Sequence, residues 1–367
     1  MVVLSNGQIY TGERLLKDKS ILIKDGVING LIDTTHIPQQ AEIIDCRGAM
    51  ISPGLLDLQI YGGGGYLFSA NPTAESLHAI ADALVAQGTT GFLITLATNS
   101  MEVFMEAIRA VRDNPHPAVL GLHLEGPYIN PQKRGAHIEE YVKAPERKEV
   151  EKLLQEAEGV VKMMTLAPEV TDPEIIRLLT DNHVIVSAGH SAATFGQAKA
   201  GFDQGITCTT HLYNAMSPLH HRDTGLPGAT FQSDNVRASI VADGVHVDFN
   251  AISIAKKIMK ERLLLITDAI EESLEGPYIH IRKADRFTLP DGTLSGSCLT
   301  LLQAVENMVK HVEVPLEEAL RMASLYPAQI LKRPDLGSIA VGSKADLLVF
   351  NKDFEVQQVW LSGTRHY

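Results

Sequence analysis

The sequence predicts an α/β fold, a (β/α)8 TIM barrel with a small β-sandwich domain built from both chain termini. Eight apolar runs of strand length recur along the middle of the chain, and helix-like amphipathic stretches separate them. Strands that alternate with helices form parallel sheets, and eight such units fit a closed barrel better than an open sheet. Short β-rich segments stand at both ends of the chain. None of the eight runs leads into a G-x-G-x-x-G turn, so a dinucleotide-binding fold is disfavoured.

The β-rich segments at the two ends are predicted to form one domain. Near the amino terminus, Asp25-Gly26 separates two β-branched runs and predicts a hairpin, because such a tight turn needs positive φ angles. We therefore expect residues 1–52 and 336–367 to form the sandwich and residues 53–335 to form the barrel. The expected terminal strands are Val2–Tyr10, Ser20–Lys24, Val27–Ile32, Ala41–Ile44, Met50–Ile51, Asp346–Asn351 and Val356–Leu361.

The barrel strands are expected at the eight apolar runs, with helices between and after them. The strands are Gly54–Ile60, Gly91–Leu96, Val119–Leu124, Val161–Leu166, Val184–Ala188, Ile206–Thr210, Ala238–Ala242 and Leu263–Thr267. The clearest helices are Ala74–Gln87, Val103–Asp113, Pro173–Asn182, Asn250–Lys260, Leu299–Val312 and Leu316–Lys332. The third of these helices follows Asp172, a residue type that caps helix amino termini.

Composition and charge narrow the possible partners. The chain has 367 residues, and 32 basic against 44 acidic residues give a net charge of −12. A surface this acidic lacks the basic field that nucleic acids and anionic membranes require, so we expect neither as a partner. No segment approaches the ~18 uninterrupted apolar residues of a membrane span, and no basic segment resembles a signal peptide. Three widely spaced cysteines form no disulfide framework, so we expect a cytoplasmic protein.

Residues that bind metals or transfer protons follow five of the eight predicted strands. A single histidine at a strand end is more often a hydrogen-bonding residue than a ligand. Five such residues at equivalent positions indicate a shared active site, because the carboxyl ends of barrel strands form the face that carries it. One carboxylate and two imidazoles suit Zn²⁺, Fe²⁺, Co²⁺ or Mn²⁺ and leave a coordination position open, as catalytic sites do. The pattern predicts a metal-dependent hydrolase with Glu125, His190, His211, His246 and Asp268 at these strand ends.

Motifs at these strand ends follow one another in a specific order. His-Leu-Glu-Gly-Pro-Tyr-Ile-Asn stands at 123–130, and Thr-His-Leu-Tyr-Asn-Ala-Met stands at 210–216. Pro-Gly-Leu-Leu-Asp at 53–57, Ala-Gly-His-Ser at 188–191, Ala-Asp-Gly-Val-His at 242–246 and Thr-Asp at 267–268 accompany them. Gly-Ser-Ile-Ala-Val-Gly-Ser-Lys-Ala-Asp-Leu-Leu-Val follows at 337–349. Over essentially the whole chain, this series resembles the N-acetylglucosamine-6-phosphate deacetylase family of the amidohydrolase superfamily.

The resemblance implies hydrolysis of N-acetyl-D-glucosamine 6-phosphate to D-glucosamine 6-phosphate and acetate by attack of metal-bound water. It implies that Glu125, His190 and His211 are the metal ligands. Asp268 is then the general base that later protonates the leaving amine, and His137 polarises the acetyl carbonyl. The residues implied to contact the sugar phosphate are Ala136, His137, Asn214, Ala215, Arg222, His246, Leu294, Ser295 and Gly296.

The resemblance also implies an assembly. Arg222 is expected to reach the phosphate in the site of a neighbouring subunit, in a homodimer or a dimer-based tetramer. Its position 11 residues after His211, in a segment with Pro218, Gly225 and Pro227, is typical of a long loop on the catalytic face.

One departure from the superfamily pattern concerns the number of metal ions. Many amidohydrolases carry His-x-His at the end of the first strand and bind two metals, whereas this chain has Gln59-Ile60-Tyr61. Neither Gln59 nor Tyr61 is a good ligand for a second transition metal. We therefore expect one divalent ion per subunit, zinc first, with iron, cobalt, manganese or nickel as alternatives. The motif assigns no role to Tyr61.

Two other functions stay open at this point. One is a different amidohydrolase with an N-acyl substrate, such as an N-acetylgalactosamine-6-phosphate deacetylase or a D-aminoacylase-like enzyme, because the sequence does not distinguish the C4 epimers. The other is a catalytically silent scaffold that keeps the fold. Such scaffolds usually lose their ligands, whereas Glu125, His190, His211 and Asp268 are all present here.

Overall fold

In the computed structural model, which describes residues 1–367, the chain begins with seven short strands. They are β1 (Val2–Ser5), β2 (Gln8–Tyr10), β3 (Leu15–Leu16), β4 (Lys19–Lys24), β5 (Val27–Asp33), β6 (Glu42–Asp45) and β7 (Met50–Pro53). The predicted hairpin joins β4 to β5, and its Asp25 and Gly26 have φ angles of 51° and 80°. The single strand predicted over residues 2–10 is instead two strands. Asn6 turns the chain between them with a φ of 55°, a conformation that asparagine tolerates better than most residues.

Eight parallel strands then form the barrel, as predicted. The strands of this part are β8 (Leu55–Ile60), β9 (Gly62–Gly63), β10 (Tyr66–Leu67), β11 (Thr89–Ala97), β12 (Val119–Glu125), β13 (Val161–Leu166), β14 (Ile185–Ala188), β15 (Cys208–Thr209), β16 (Arg237–Val241) and β17 (Leu263–Ile266). The short strands β9 and β10 pair with each other, and the other eight follow one another in chain order around one sheet. A parallel bridge between Ile60 and Ala269 joins the end of β17 to β8.

Seven α-helices connect the successive barrel strands, and three more follow the last strand. They are α1 (Ala74–Ala86), α2 (Met101–Asp113), α3 (Arg147–Ala157), α4 (Pro173–Asp181), α5 (Phe195–Asp203), α6 (Gly225–Phe231), α7 (Phe249–Met259), α8 (Leu301–Lys310), α9 (Leu316–Met322) and α10 (Leu325–Ile330). Short 3₁₀ helices lie at Thr34–His36, Pro131–Lys133, Glu139–Tyr141, Pro168–Val170 and Lys260–Arg262. Asp172 caps α4 by accepting a 2.8 Å hydrogen bond from the Glu174 N–H, as predicted.

The predicted helix over residues 316–332 is instead two helices, α9 and α10. The break falls at Ala323 and Ser324. Pro327 has no N–H to donate to the carbonyl oxygen four residues earlier, so a continuous helix would lose a hydrogen bond there.

Six further strands complete the fold. They are β18 (Ile281–Arg282), β19 (Arg286–Thr288), β20 (Leu294–Ser297), β21 (Leu347–Phe350), β22 (Val356–Leu361) and β23 (Thr364–Arg365). The first three form an antiparallel sheet that the sequence did not predict. The last three pair with amino-terminal strands in a six-stranded sheet of order β23-β22-β21-β7-β2-β3, and the remaining amino-terminal strands form a sheet of order β5-β4-β1-β6.

The two terminal sheets enclose a core of their own. Leu4 and Ile21 of the four-stranded sheet pack in one buried cluster with Ile51, Val349 and Trp360 of the six-stranded sheet. A second and larger apolar cluster lies within the barrel and between its strands and helices, and it extends to Met50, Leu348 and Phe350 of the six-stranded sheet. The predicted fold class, a TIM barrel with a small sandwich from both termini, is therefore confirmed. None of the helices combines the length and apolar character needed to cross a membrane.

Candidate active site

A cavity of about 390 Å³ opens at the carboxyl ends of the barrel strands. All but one of the predicted site residues line it, and the exception is Arg222. The residues that the structure brings together here are Glu125, Ala136, His137, His190, His211, Asn214, Ala215, His246, Asp268, Leu294, Ser295 and Gly296. Arg222 is exposed on the loop between β15 and α6 and lies outside the cavity of its own chain.

The backbone turns sharply where three of these side chains enter the cavity. His190, His211 and Asp268 each lie two residues beyond the end of a barrel strand, and their φ angles are 47°, 32° and 54°. A left-handed conformation costs a non-glycine residue about 1–3 kcal/mol and is concentrated at functional sites. The surrounding hydrogen bonds hold these turns, for example the 3.0 Å bond from the Asp268 N–H to the Gln59 carbonyl oxygen.

Three potential ligand atoms form a small triangle. Glu125 Oε1 lies 3.3 Å from His190 Nε2 and 3.1 Å from His211 Nε2, and the two nitrogens are 3.1 Å apart. Ligands 2.0–2.2 Å from a tetrahedral zinc ion are separated by roughly 3.3 Å, so this spacing fits such an ion. His190 Nδ1 lies 2.8 Å from the Lys133 carbonyl oxygen, which accepts its proton and leaves Nε2 free as a ligand.

A third histidine contacts the same carboxylate on its other oxygen. His137 Nε2 lies 3.0 Å from Glu125 Oε2, and Glu125, His137 and His190 also offer potential ligand atoms within 4.8 Å of one another. His137 Nδ1 accepts a 3.2 Å hydrogen bond from the Thr98 N–H, so the proton of a neutral ring is on Nε2. His137 is therefore arranged as a hydrogen-bond donor, whereas His190 is arranged as a metal ligand.

Gln59 and Tyr61 bind the two carboxylates of the cavity. Gln59 Nε2 lies 3.0 Å from Glu125 Oε1, 2.8 Å from Asp268 Oδ1 and 2.9 Å from the Tyr61 hydroxyl oxygen. The Tyr61 hydroxyl donates to Glu125 Oε2. Sequence reasoning found no role for Tyr61, because its partner Glu125 is 64 residues away and a phenol at a strand end has no characteristic spacing to a carboxylate.

Burial and neighbouring charges set the protonation of this cluster. Burial opposes ionisation of Glu125, but the facing imidazoles of His190, His137 and His211 outweigh it and hold the pKa of this carboxyl well below its ordinary value. Burial raises the pKa of Asp268. The cavity thus holds a firmly ionised carboxylate, suited to a cation, beside a more basic one, suited to a proton.

Other lining residues present polar groups where a substrate would lie. His246 Nδ1 is 2.6 Å from Asp243 Oδ2, which fixes the imidazole ring, and Asn214 Nδ2 is buried without a hydrogen-bond partner. Residues 294–296 belong to strand β20. Its Ser295 hydroxyl is 3.0 Å from His280 Nδ1.

Sequence reasoning also missed Lys133, Tyr278 and His280, which line the cavity. Lys133 is the one lysine or arginine among the lining residues. A signal existed for Lys133, since it stands four residues before His137 in the segment after β12. None existed for Tyr278 and His280, which lie just before the first strand of the three-stranded sheet that was not predicted.

Comparison with known proteins places this architecture in a family. The amidohydrolase family profile matches residues 50–365, and the NagA composite domain matches residues 1–51. An N-acetylglucosamine-6-phosphate deacetylase of Haemophilus influenzae is 36% identical over 98% of each chain. An N-acetylgalactosamine-6-phosphate deacetylase of a Shewanella species is 33% identical over 100% of this chain and 96% of its own.

Solved structures similar to this chain include further N-acetylglucosamine-6-phosphate deacetylases. The crystal structure of N-acetylglucosamine-6-phosphate deacetylase from Pasteurella multocida has a TM-score of 0.96 and 32% identity, and the match covers 99% of each chain. An aspartate-to-alanine variant of the Mycobacterium smegmatis deacetylase, in complex with N-acetyl-D-glucosamine-6-phosphate, has a TM-score of 0.93 and 29% identity over 100% of this chain and 99% of that one. The chain therefore belongs to the amidohydrolase family, among relatives named as hexosamine-6-phosphate deacetylases.

Proposed function

We propose that this protein hydrolyses the acetamide of N-acetyl-D-glucosamine 6-phosphate and releases D-glucosamine 6-phosphate and acetate. One observation carries the proposal: the triangle of Glu125, His190 and His211 lies beside Asp268 in a substrate-sized cavity. The identity of 36% to a deacetylase that acts on this sugar phosphate supports it. Deacetylation of the C4 epimer is the second candidate, because a relative of that name is 33% identical.

Glu125, His190 and His211 are the residues that would hold one divalent ion, zinc first, with iron, cobalt, manganese or nickel as alternatives. Such an ion supplies Lewis acidity, which polarises a carbonyl and makes water a better nucleophile at neutral pH. The ionised Glu125 and the free Nε2 of His190 are the chemical basis for this assignment.

Asp268 is the proposed proton-transfer residue. Gln59 Nε2 donates to Oδ1, so Oδ2 is the oxygen left for the substrate side. Asp268 accepts a proton from the attacking water as the new C–O bond forms, and returns it to the nitrogen as the C–N bond breaks. Its raised pKa suits both steps, because a group that only loses protons could not protonate the leaving amine.

His137 is the proposed donor to the acetyl oxygen. Its Nε2–H points at Glu125 Oε2, in the middle of the cluster, and the Thr98 backbone N–H fixes the ring through Nδ1. A well-aimed donor that stabilises the developing oxyanion is worth about 3 kcal/mol.

The phosphate of the substrate requires cations, and two are proposed. Lys133 is the cation that the chain's own cavity offers, and Arg222 is the cation that a second subunit would supply. Arg222 is exposed outside its own cavity. This supports a two-fold dimer, or a dimer-based tetramer, in which each subunit supplies its Arg222 to the site of the other. The remaining polar contacts to the sugar are proposed for Asn214, His246 and Ser295.

We also propose a cytoplasmic location, on the basis of three free cysteines and no disulfide, with residues 1–52 and 336–367 acting as one structural unit beside the barrel.

The substrate proposal is tested by measuring acetate release from N-acetylglucosamine 6-phosphate, its C4 epimer and unphosphorylated N-acetylglucosamine. We expect the highest kcat/KM for the first compound and the lowest for the third, because only the third lacks the anion. A preference for the C4 epimer would establish the second candidate instead. No acetate from either sugar phosphate would refute both.

The shared site is tested by mixing two impaired variants, Arg222→Ala, which should raise KM for the sugar phosphate, and Asp268→Asn, which should lower kcat. Hybrid dimers would contain one site with both residues intact, so part of the activity should return. If subunit exchange is demonstrated and no activity returns, Arg222 does not act across subunits.

A further inference from the structure

Gln59-Ile60-Tyr61 stands at the end of β8, where many amidohydrolases carry His-x-His. Gln59 and Tyr61 both hydrogen-bond to Glu125. The Tyr61 hydroxyl donates to Glu125 Oε2 and accepts a 2.9 Å hydrogen bond from Gln59 Nε2. Since Gln59 can only donate through this nitrogen, the phenol hydrogen is directed at the carboxylate. The ring is buried and packs in an apolar cluster that includes Leu67, Ile270 and Tyr278.

The contact with Tyr61 gives the two carboxylate oxygens of Glu125 different partners. Oε1 faces the nitrogens of His190 and His211 at 3.3 and 3.1 Å, whereas Oε2 receives the hydroxyl of Tyr61 and the Nε2 of His137. Without a donor on Oε2, the carboxylate could rotate about its terminal torsion, which is soft. The Tyr61 hydroxyl and His137 together therefore fix which oxygen faces His190 and His211.

His137 cannot serve both of its partners at once. In the proposed reaction its Nε2–H leaves Glu125 Oε2 for the acetyl oxygen of the substrate. The Tyr61 hydroxyl is then the donor that continues to satisfy a buried anionic oxygen, which is costly to leave unpaired.

We propose that Tyr61 is a positioning residue of this enzyme, which holds Glu125 so that Oε1 serves as the metal ligand while His137 turns to the substrate. This inference rests on the proposed function, because it presumes the divalent ion at Glu125, His190 and His211. A phenol in this place takes over the ligand-orienting task that outer hydrogen-bond partners perform in metal sites.

The test is the metal affinity of Tyr61→Phe, which removes the hydroxyl and keeps the ring. The metal-loaded protein is titrated with a chromophoric zinc chelator, and the dissociation constant is compared with that of the unchanged chain. Loss of an outer partner of a ligand typically weakens metal binding about 10–100-fold, and we expect a loss in that range. With saturating zinc, kcat should fall while KM changes little, because Tyr61 acts through Glu125 and His137.

Tyr128→Phe is the matched control. Tyr128 is buried as well and donates a 2.8 Å hydrogen bond to a carboxylate, Glu149, but it does not line the cavity. A purely structural role for both hydroxyls would lower the melting temperature of both metal-free variants and leave both zinc dissociation constants unchanged. We expect the zinc dissociation constant to change in Tyr61→Phe alone.

A zinc dissociation constant for Tyr61→Phe within about threefold of the unchanged chain would overturn the proposal. If the unchanged chain itself takes up neither zinc nor any of the other proposed divalent ions, the proposed function fails as well, so the two failures are distinguishable. Should Tyr61→Phe not accumulate as folded protein, Tyr61→Gln and Tyr61→Leu replace it, since both lose the ring and only glutamine keeps a donor. The leucine variant must then bind zinc more weakly than the glutamine variant, and equal affinities would overturn the proposal.

Discussion

Replacing Asp268 by asparagine removes a proton acceptor from the cavity with little change of shape. The residue has a φ of 54°, which asparagine tolerates, so the turn after β17 should persist. The asparagine carbonyl oxygen can still accept the 2.8 Å hydrogen bond from Gln59 Nε2. The substitution therefore acts on Oδ2, the oxygen proposed to take the proton from water.

The size of the effect follows from the two proton transfers assigned to this carboxylate. General acid–base catalysis contributes about 10²–10⁴ in rate, which corresponds to roughly 3–5 kcal/mol of activation free energy. Since Asp268 acts first as base and then as acid, both steps lose their catalyst. We expect kcat to fall by at least about 10².

The assay is acetate release at saturating N-acetylglucosamine 6-phosphate, with metal content measured on the same samples. Metal should stay bound, because Asp268 is not part of the Glu125, His190 and His211 triangle. Asp248→Asn is the control, since Asp248 is an exposed cap of α7 and asparagine also caps helices. If Asp268→Asn keeps its metal and turns over within about tenfold of the unchanged chain, another group is the base.

Changes at three other positions test the phosphate contact, the buried charge at the first strand, and the backbone that carries His190. Lys133→Gln should raise KM for the 6-phosphate about tenfold in steady-state assays and leave KM for the unphosphorylated sugar unchanged; equal effects on both would exclude a phosphate contact. Burial raises the pKa of Asp57 to about 7. Between about pH 4 and pH 7 the folded state therefore holds a proton that the unfolded chain has released. The free energy of unfolding falls as pH rises through this range, by up to ~4 kcal/mol. In urea unfolding at pH 5 and pH 8, Asp57→Asn should show a smaller loss of stability with pH, and an unchanged loss would refute the raised pKa. A Cβ at Gly189 would lie 2.7 Å from the Thr165 side chain. Gly189→Ala should therefore cost about 1–3 kcal/mol of stability and weaken metal binding. Gly196→Ala is the control and should do neither, because a Cβ at Gly196 meets open space.

The placement of the catalytic face could be predicted because the topology is repetitive. Once eight apolar runs are identified as parallel strands, the residues after them must meet at one end of the barrel, however distant they are in sequence. Glu125 and His211 are 86 residues apart, yet their side-chain atoms are separated by 3.1 Å. Residue type and position after a strand were sufficient to predict that these side chains lie close together.

What could not be predicted depends on side-chain geometry and on weak local signals. The role of Tyr61 needs the direction of a hydroxyl, which neither spacing nor periodicity contains. The sheet of β18, β19 and β20 has strands of two to four residues, too short to show an alternating pattern. The break between α9 and α10 was missed because the apolar spacing continues through Ser324, although Pro327 was a visible warning.

The most direct measurement is a zinc titration of the metal-free protein, with acetate release from N-acetylglucosamine 6-phosphate followed after each addition. We expect the rate to rise from near zero in proportion to added zinc and to level off at one equivalent per chain, because Gln59 and Tyr61 occupy the positions where a second ion would need ligands. Activity in the absence of metal would contradict hydrolysis at the Glu125, His190 and His211 triangle. A rate that continues to rise to two equivalents would contradict the single-ion site.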